Sequence, residues 1–331
     1  MEIWRSLNDV PGAQKSVVTI GNFDGMHQGH SRVIGACVER AHRRGCDSVA
    51  LTFDPHPRSV HNPADPPQLI MSLPDRLEAM AATGLDAALV ATYDRTLYSL
   101  SAEDFVEQYL VDRLGATEVV VGEDFRFGRN NEGTVDTLRE LGVRFGFTVA
   151  MVTDIASPTG RRWSSSWARE LLAEGDPAQA ATVLGRFHRV TGVVEHGHKR
   201  GRLLGIPTAN VRANPHSFVP ADGVYAGWLI RDIGGEQVGQ EFLPAAISVG
   251  TNPHFGEGER TVEAHVLGRT DLDLYGETVT VTFVRRLRPM QKFADLDAML
   301  AQMDLDLLQT AATLGVRATG RVDPDAVTAG L

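Results

Sequence analysis

Cysteine is almost missing from this chain: Cys37 and Cys46 are the only two in 331 residues. That excludes a disulfide framework and a cysteine-built metal site. Cys37 falls on the apolar side of a predicted helix and reads as a small buried hydrophobe rather than a reactive thiol. Long apolar runs are missing too, the longest being strand-length, which excludes a membrane-spanning helix. The first residues show no basic region followed by an apolar stretch, so no secretory leader is expected. A reducing cytoplasm and no membrane partner fit these features. Positive charge is also in deficit, with 32 Lys and Arg against 42 Asp and Glu, a net charge of -10 and a pI near 5.6. A chain this acidic is not expected to bind nucleic acid. Its small basic clusters (Arg43-Arg44, Arg161-Arg162, Lys199-Arg200 with Arg202, Arg285-Arg286) suit phosphate groups instead. A homo-oligomer is compatible with all of this. No Gly-x-x-x-x-Gly-Lys-Ser/Thr loop is present, so any nucleotide must be held without a P-loop.

What is there suffices for two cores. Hydrophobic residues make up 43% of the chain, and its length favours two domains. Strand-like apolar runs at 16–22, 48–53, 86–91, 117–121 and 147–153 alternate with predicted helices. One helix repeats Val33, Ile34, Cys37, Val38 and Ala41; others are expected at 74–83, 101–114, 133–142 and 166–184. Continuous apolar strands separated by helices argue for an α/β, doubly wound parallel sheet covered on both faces. The pattern changes near Gly185. Short β-rich segments at 188–195, 223–230, 244–249, 261–267 and 277–284 read as a small antiparallel β-barrel. A closing helix is expected over 293–314, with apolar residues at Leu296, Met299, Leu300, Met303, Leu307 and Leu308. The expected division is 1–185, 186–318 and a loose tail at 319–331.

Gly21-Asn-Phe23-Asp24-Gly25-Met-His27-Gln-Gly29-His30 lies where the first long strand meets the first helix. Its glycines let backbone approach a ligand, and the helix points its positive end at that place. Two histidines three apart could donate to a polyphosphate and stabilise charge on phosphorus. The competing reading is an ordinary glycine-rich turn with surface histidines. Position after the first strand of a doubly wound pattern favours the ligand site. Ser164, Ser165, Ser166 and Arg169 open a later helix and suit phosphate, although alone they would be a serine-rich cap.

A second segment, Gly197-His-Lys-Arg200-Gly201-Arg-Leu-Leu-Gly205-Ile-Pro207-Thr208-Ala-Asn210, joins a basic glycine-rich loop to a rigid Pro-Thr-Ala-Asn unit. Loop amides could wrap a triphosphate. Thr208 and Asn210 offer two neutral oxygens to one Mg²⁺ ion. A basic hairpin followed by a turn is an equal reading on composition. Glu263 falls in a predicted strand, where alternation could turn it into a cleft, though an isolated strand glutamate is usually solvated.

Taken together, these segments resemble the nucleotidyltransferase superfamily, with its His-X-Gly-His loop and later Ser-Ser-Thr-X-X-Arg segment. More narrowly, the chain resembles prokaryotic bifunctional riboflavin kinase/FAD synthetases from about residue 3 to about residue 316. Thr52-Phe-Asp-Pro-His56-Pro57 and Gly122-Glu-Asp124-Phe125-Arg-Phe-Gly128 match two further segments of that family. The 197–210 segment matches the kinase Gly-rich motif apart from Ile206, and Arg260-Thr-Val-Glu263-Ala-His-Val-Leu267 extends the match. The resemblance implies a nucleotidyltransferase-like, Rossmann-like first domain and a riboflavin kinase barrel. It implies that Gly21, Phe23, Asp24, Gly25, His27, His30, Ser164, Ser165 and Arg169 serve ATP in the first half. His56, Pro57, Asp124 and Phe125 would serve the flavin there. In the second half it implies Gly197, Arg200, Gly201, Thr208 and Asn210 for ATP and Mg²⁺. Arg288 and Phe293 would meet the flavin, and Glu263 would also be the base. Riboflavin, FMN, FAD and ATP are the partners so implied. Asn22, Ser166, Trp167 and His254 depart from the pattern. They leave two alternatives, a kinase whose adenylyltransferase site is impaired and a non-catalytic flavin and nucleotide sensor.

Overall fold

The apolar runs of the first half become parallel strands, and the β-rich segments of the second close on themselves. The computed structural model describes residues 1–12, 14–153, 157–196, 200–234, 239–251 and 260–326. It divides into two units, Met1–Ser165 and Ser166–Leu331.

In the first unit six parallel strands run β1 (Glu2–Trp4), β2 (Ser16–Ile20), β3 (Asp47–Asp54), β4 (Ala87–Thr92), β5 (Ala116–Gly122) and β6 (Thr148–Val152). Their order is β1-β4-β3-β2-β5-β6. All five residues of β2 are buried, as a central parallel strand requires. From β2 the chain goes first to β3 and later to β5 on the other side, so the carboxyl end of β2 is the switch point where such folds bind ligands. The helices are α1 (Gln28–Arg44), α2 (Pro57–His61), α3 (Leu73–Ala81), α4 (Arg95–Tyr98), α5 (Ala102–Phe105) and α6 (Val135–Phe145). The single helix expected over 101–114 is instead α5 followed by a π-helical stretch, Val106–Val111, whose wider turn buries Val106 and Leu110. The short edge strand β1 was not foreseen; three residues carry too little alternation to read.

The second unit opens with α7 (Ser165–Glu174), which begins at the boundary, and α8 (Pro177–Leu184). One helix was expected over 166–184. Gly175 takes a left-handed φ of 79°, Asp176 caps the Gln179 amide and Pro177 starts the next helix, so the run breaks in two. The strands β7 (His188–Glu195), β8 (Ala209–Ala213), β9 (Gly223–Ile233), β10 (Gly239–Thr251), β11 (Arg260–Val266) and β12 (Thr278–Arg288) close a barrel in the order β10-β11-β8-β7-β12-β9. Every neighbouring pair is antiparallel. Val190, Val211, Leu229, Ile247, Val262 and Phe283 fill its interior. A short helix α9 (Arg200–Leu203) precedes β8, and α10 (Leu296–Leu314) follows β12.

The closing helix is where it was expected, and its buried face agrees only in part, at Leu307. Asp306, Leu307, Thr310 and Ala311 are buried, whereas Leu296 and Leu308 are more than half exposed. The apolar stripe misled because an acidic residue, Asp306, occupies the inner face. Beyond Arg317 the chain is mostly exposed but makes contacts with the rest of the second unit. Arg321 pairs with Asp304 at 2.8 Å, and the Val322 amide donates to the Gly205 carbonyl at 2.9 Å.

Candidate active sites

The first site grows from the end of β2. Phe23 and Met26 hold positive φ values of 51° and 39°, a strained conformation for residues with a Cβ, and Gly25 sits at 79°. His27 caps α1, its Nδ1 accepting from the His30 amide at 3.4 Å. The two imidazoles stack with centroids 3.6 Å apart, and His30 meets the Phe23 ring edge-on at 5.3 Å. Both histidines therefore stand at the positive end of a long helix, where anionic oxygens are favoured. Gly21 has a local reason as well: a Cβ there would touch the Phe23 ring at 3.0 Å.

Asp24 is buried and accepts from the Ile70 and Met71 amides at 3.2 and 3.1 Å, which anchors the loop from below. Ser165 Oγ donates to the Asp24 carbonyl at 2.8 Å, bringing the serine-rich segment to the histidine loop. Ser164 precedes it, half-buried, and Arg169 lies one turn along α7 in the second unit. On the next strand, His56 caps α2 through the Arg58 amide and Pro57 is its first residue. Asp124 and Phe125 follow β5. Arg162 pairs with Asp124 at 2.7 Å, and its hydrogen bond holds that carboxyl below the usual range. Phe125 stacks on Phe127 at 5.4 Å. All these residues except Arg169 thus lie at or beyond the carboxyl edge of one sheet or beside its histidine loop.

Arg76 escaped the sequence reading. It is buried on α3 and donates to the Asn22 carbonyl at 2.7 Å and the Phe53 carbonyl at 3.0 Å, tying the end of β3 to the residue after β2. Burial pushes its guanidinium below the usual arginine value. The signal was a lone arginine spaced with Leu77 and Met80 on the apolar face of a short helix. The same contact explains Asn22: its main chain works here, accepting also from Thr52 Oγ1 at 3.3 Å. Trp167 is buried beside Ala168 and Leu172 on α7.

The second site lies on the outside of the barrel. Glu263 on β11 stands directly opposite Asn210 on β8 and Ser248 on β10. Directly opposed residues share one face of a sheet. Val262 and Ala264 point the other way, into the core. Thr208 Oγ1 approaches Glu263 Oε2 at 3.5 Å, so the threonine and asparagine of one segment converge with the glutamate of another. Gly201 supports the turn before them: Ile206 donates its amide to the Gly201 carbonyl at 2.8 Å, and a Cβ on Gly201 would overlap the Ile206 carbonyl oxygen. Gly197, His254 and the Arg200 side chain lie outside the described residues. At the end of β12, Arg288 is paired with Asp306 at 2.8 Å and sits 5.6 Å from the Phe293 ring centre. Among the described residues no cluster of three or more His, Cys, Asp or Glu forms a metal site, and no helix is long and apolar enough to cross a membrane.

A family model described as FAD synthetase matches residues 10–167, and one described as riboflavin kinase matches residues 184–314. The bifunctional riboflavin kinase/FMN adenylyltransferase of Pseudomonas fluorescens is 36% identical over 314 residues, covering 94% of this chain and 97% of that protein. The Escherichia coli K12 protein of the same description is 32% identical, covering 96% and 99%. This chain belongs to the bifunctional riboflavin kinase/FMN adenylyltransferase family. A solved Streptococcus pneumoniae structure, described as a macrolide-efflux protein, superposes with a TM-score of 0.83 at 28% identity, covering 93% of this chain and 97% of its own. The family's two modules fall on the Rossmann-like sheet and on the closed barrel respectively.

β8 is a strand that the sequence pattern did not indicate: Pro-Thr-Ala-Asn reads as a rigid unit, yet Ala209 begins a strand. Alternation across Ala209, Val211 and Ala213 was the available signal, and Pro207 just ahead obscured it.

Proposed function

We propose that this chain makes both flavin cofactors in sequence. In the C-terminal unit the γ-phosphoryl group of ATP passes to the ribityl 5′-hydroxyl of riboflavin, giving FMN and ADP. In the N-terminal unit an FMN phosphate oxygen attacks the α-phosphorus of ATP, giving FAD and pyrophosphate. The observation that carries this reading is the convergence of Thr208, Asn210 and Glu263 on one face of the barrel. Glu263 accepts the proton of the attacking hydroxyl. Thr208 and Asn210 supply hard neutral oxygens beside that carboxylate, a donor set that fits Mg²⁺. Bound there, the ion would neutralise phosphate charge. Gly197, Arg200 and Gly201 wrap the nucleotide, and Arg288 with Phe293 borders the flavin.

In the N-terminal unit the acceptor is already an anion, so positioning and charge stabilisation dominate and no strong base is needed. His27 and His30 at the start of α1 do this work. Gly21, Phe23, Asp24, Gly25, Ser164 and Ser165 form the rest of the ATP site in that unit. His56, Pro57, Asp124 and Phe125 receive FMN. The domain limits that go with this reading are 1–185 and 186–318, with a tail at 319–331, and the compartment is the cytoplasm. Incubating the purified protein with riboflavin, excess ATP and Mg²⁺, and separating flavins over time, tests it. FMN that appears and then converts to FAD is the expected result. FMN without FAD leaves a kinase alone, and no conversion leaves a binding protein.

A further inference from the structure

Glu263 and His265 are two apart on β11, and they hold two consecutive residues of the segment that leads into β8. Thr208 Oγ1 approaches the Glu263 carboxylate, and His265 Nδ1 lies 2.7 Å from the Pro207 carbonyl oxygen. His265 is only 2% exposed, and its Nε2 is buried without a hydrogen-bond partner among the described residues. A carbonyl only accepts, so the proton sits on Nδ1 and Nε2 carries an unused lone pair. A buried acceptor left so has lost its hydration with nothing in return. Packing alone therefore does not account for an imidazole here, since an apolar side chain would fill the space without that cost. What the imidazole adds is a fixed carbonyl. The Pro207–Thr208 peptide is planar, so holding its oxygen sets the direction in which Thr208 leaves.

We infer that His265 is a positioning residue of the kinase unit, holding the Pro207–Thr208 peptide so that the Thr208 hydroxyl stays aligned with Glu263 and Asn210. This rests on the roles proposed above for those three residues. Asparagine places an amide N–H close to where Nδ1 stands; glutamine carries its amide further out, toward Nε2; leucine has no donor.

The test compares His265→Asn, His265→Gln and His265→Leu in the full chain. Mn²⁺ binding in the presence of ADP, read by water-proton relaxation, should weaken about tenfold in the Gln and Leu variants and stay within about threefold in Asn. Riboflavin phosphorylation should lose about a hundredfold in kcat in Gln and Leu, with riboflavin KM little changed, and recover in Asn. Nitrogen NMR of the wild type should show His265 protonated at Nδ1. FAD formation from supplied FMN should be equal in all, which reports an intact N-terminal unit. If Leu does not fold, the Asn and Gln pair carries the comparison. Asn and Gln variants alike in Mn²⁺ affinity, or a proton found on Nε2, would overturn the inference. A wild type that binds Mn²⁺ with ADP but forms no FMN would sink the proposed activity instead, while the Mn²⁺ comparison still decides the role of His265.

Discussion

Asp306 grips Arg288 from the closing helix: Arg288 Nη2 lies 2.8 Å from Oδ2 and Nε lies 3.0 Å from Oδ1. Gln302 Nε2 adds a third donor at 3.0 Å. The side chains are 16% and 6% exposed, so the pair is largely withdrawn from water. Arg288 therefore has its charge balanced within the protein, and its plane is set by α10 before any flavin arrives. Removing one member of a buried pair leaves the other uncompensated. Asp306→Asn is expected to destabilise the barrel unit by on the order of 3 kcal/mol, measured by urea unfolding. Riboflavin KM should rise with it, and FAD formation from supplied FMN should not change.

The two chemistries should separate by mutation, because Glu263 and His30 belong to different units. Glu263→Ala is expected to lower FMN formation by roughly 10²–10⁴-fold, the usual worth of a positioned base, while leaving adenylylation of supplied FMN. His30→Ala is expected to do the reverse, losing about 10²–10³-fold in FAD formation. Loss of both activities in either folded variant would refute two independent sites.

Much of this was legible in the sequence, and the misses share a cause. Periodicity marked the central strands and α1 because their burial is continuous or strictly repeated. Resemblance to the family's motifs marked His27, His30, Thr208, Asn210 and Glu263 as candidates, because such motifs are matched residue by residue. Arg76, Asp306 and His265 were not assigned roles. Each is a polar residue on an apolar face, and its partner is a backbone carbonyl or a charge far along the chain. Such residues look like errors in a hydrophobic pattern until the fold supplies the partner. Arg76 and Asp306 sit four residues before Met80 and Thr310, both buried, which was the local hint.

Gly205 joins the kinase loop to the C-terminal segment. Its φ is 75°, its carbonyl accepts from the Val322 amide at 2.9 Å, and a Cβ there would overlap the Val322 carbonyl oxygen. Gly205→Ala meets both a left-handed penalty of roughly 1–2 kcal/mol and a backbone clash. Its ATP KM for riboflavin phosphorylation should rise severalfold as the loop shifts. The ATP KM for FAD formation should stay put, and steady-state kinetics of the two half-reactions would show the contrast.

The two thiols should differ sharply in reactivity. Cys37 Sγ lies 3.2 Å from the Val17 carbonyl, and burial pushes its thiol up to about 12. Cys46 is half-buried, and its thiol is also raised by desolvation. Only the thiolate attacks a disulfide reagent, so at pH 8 the native protein should release about one equivalent with Ellman's reagent. The second should appear only as the chain unfolds. The raised value also has a stability consequence. A thiol that ionises less readily when folded contributes stability below its unfolded value near 9, and loses it as pH climbs toward 12. Cys37→Ala should therefore flatten the alkaline part of the unfolding profile over that window, even though it costs packing at neutral pH. Two equivalents released quickly at pH 8 by folded protein would contradict the buried placement of Cys37.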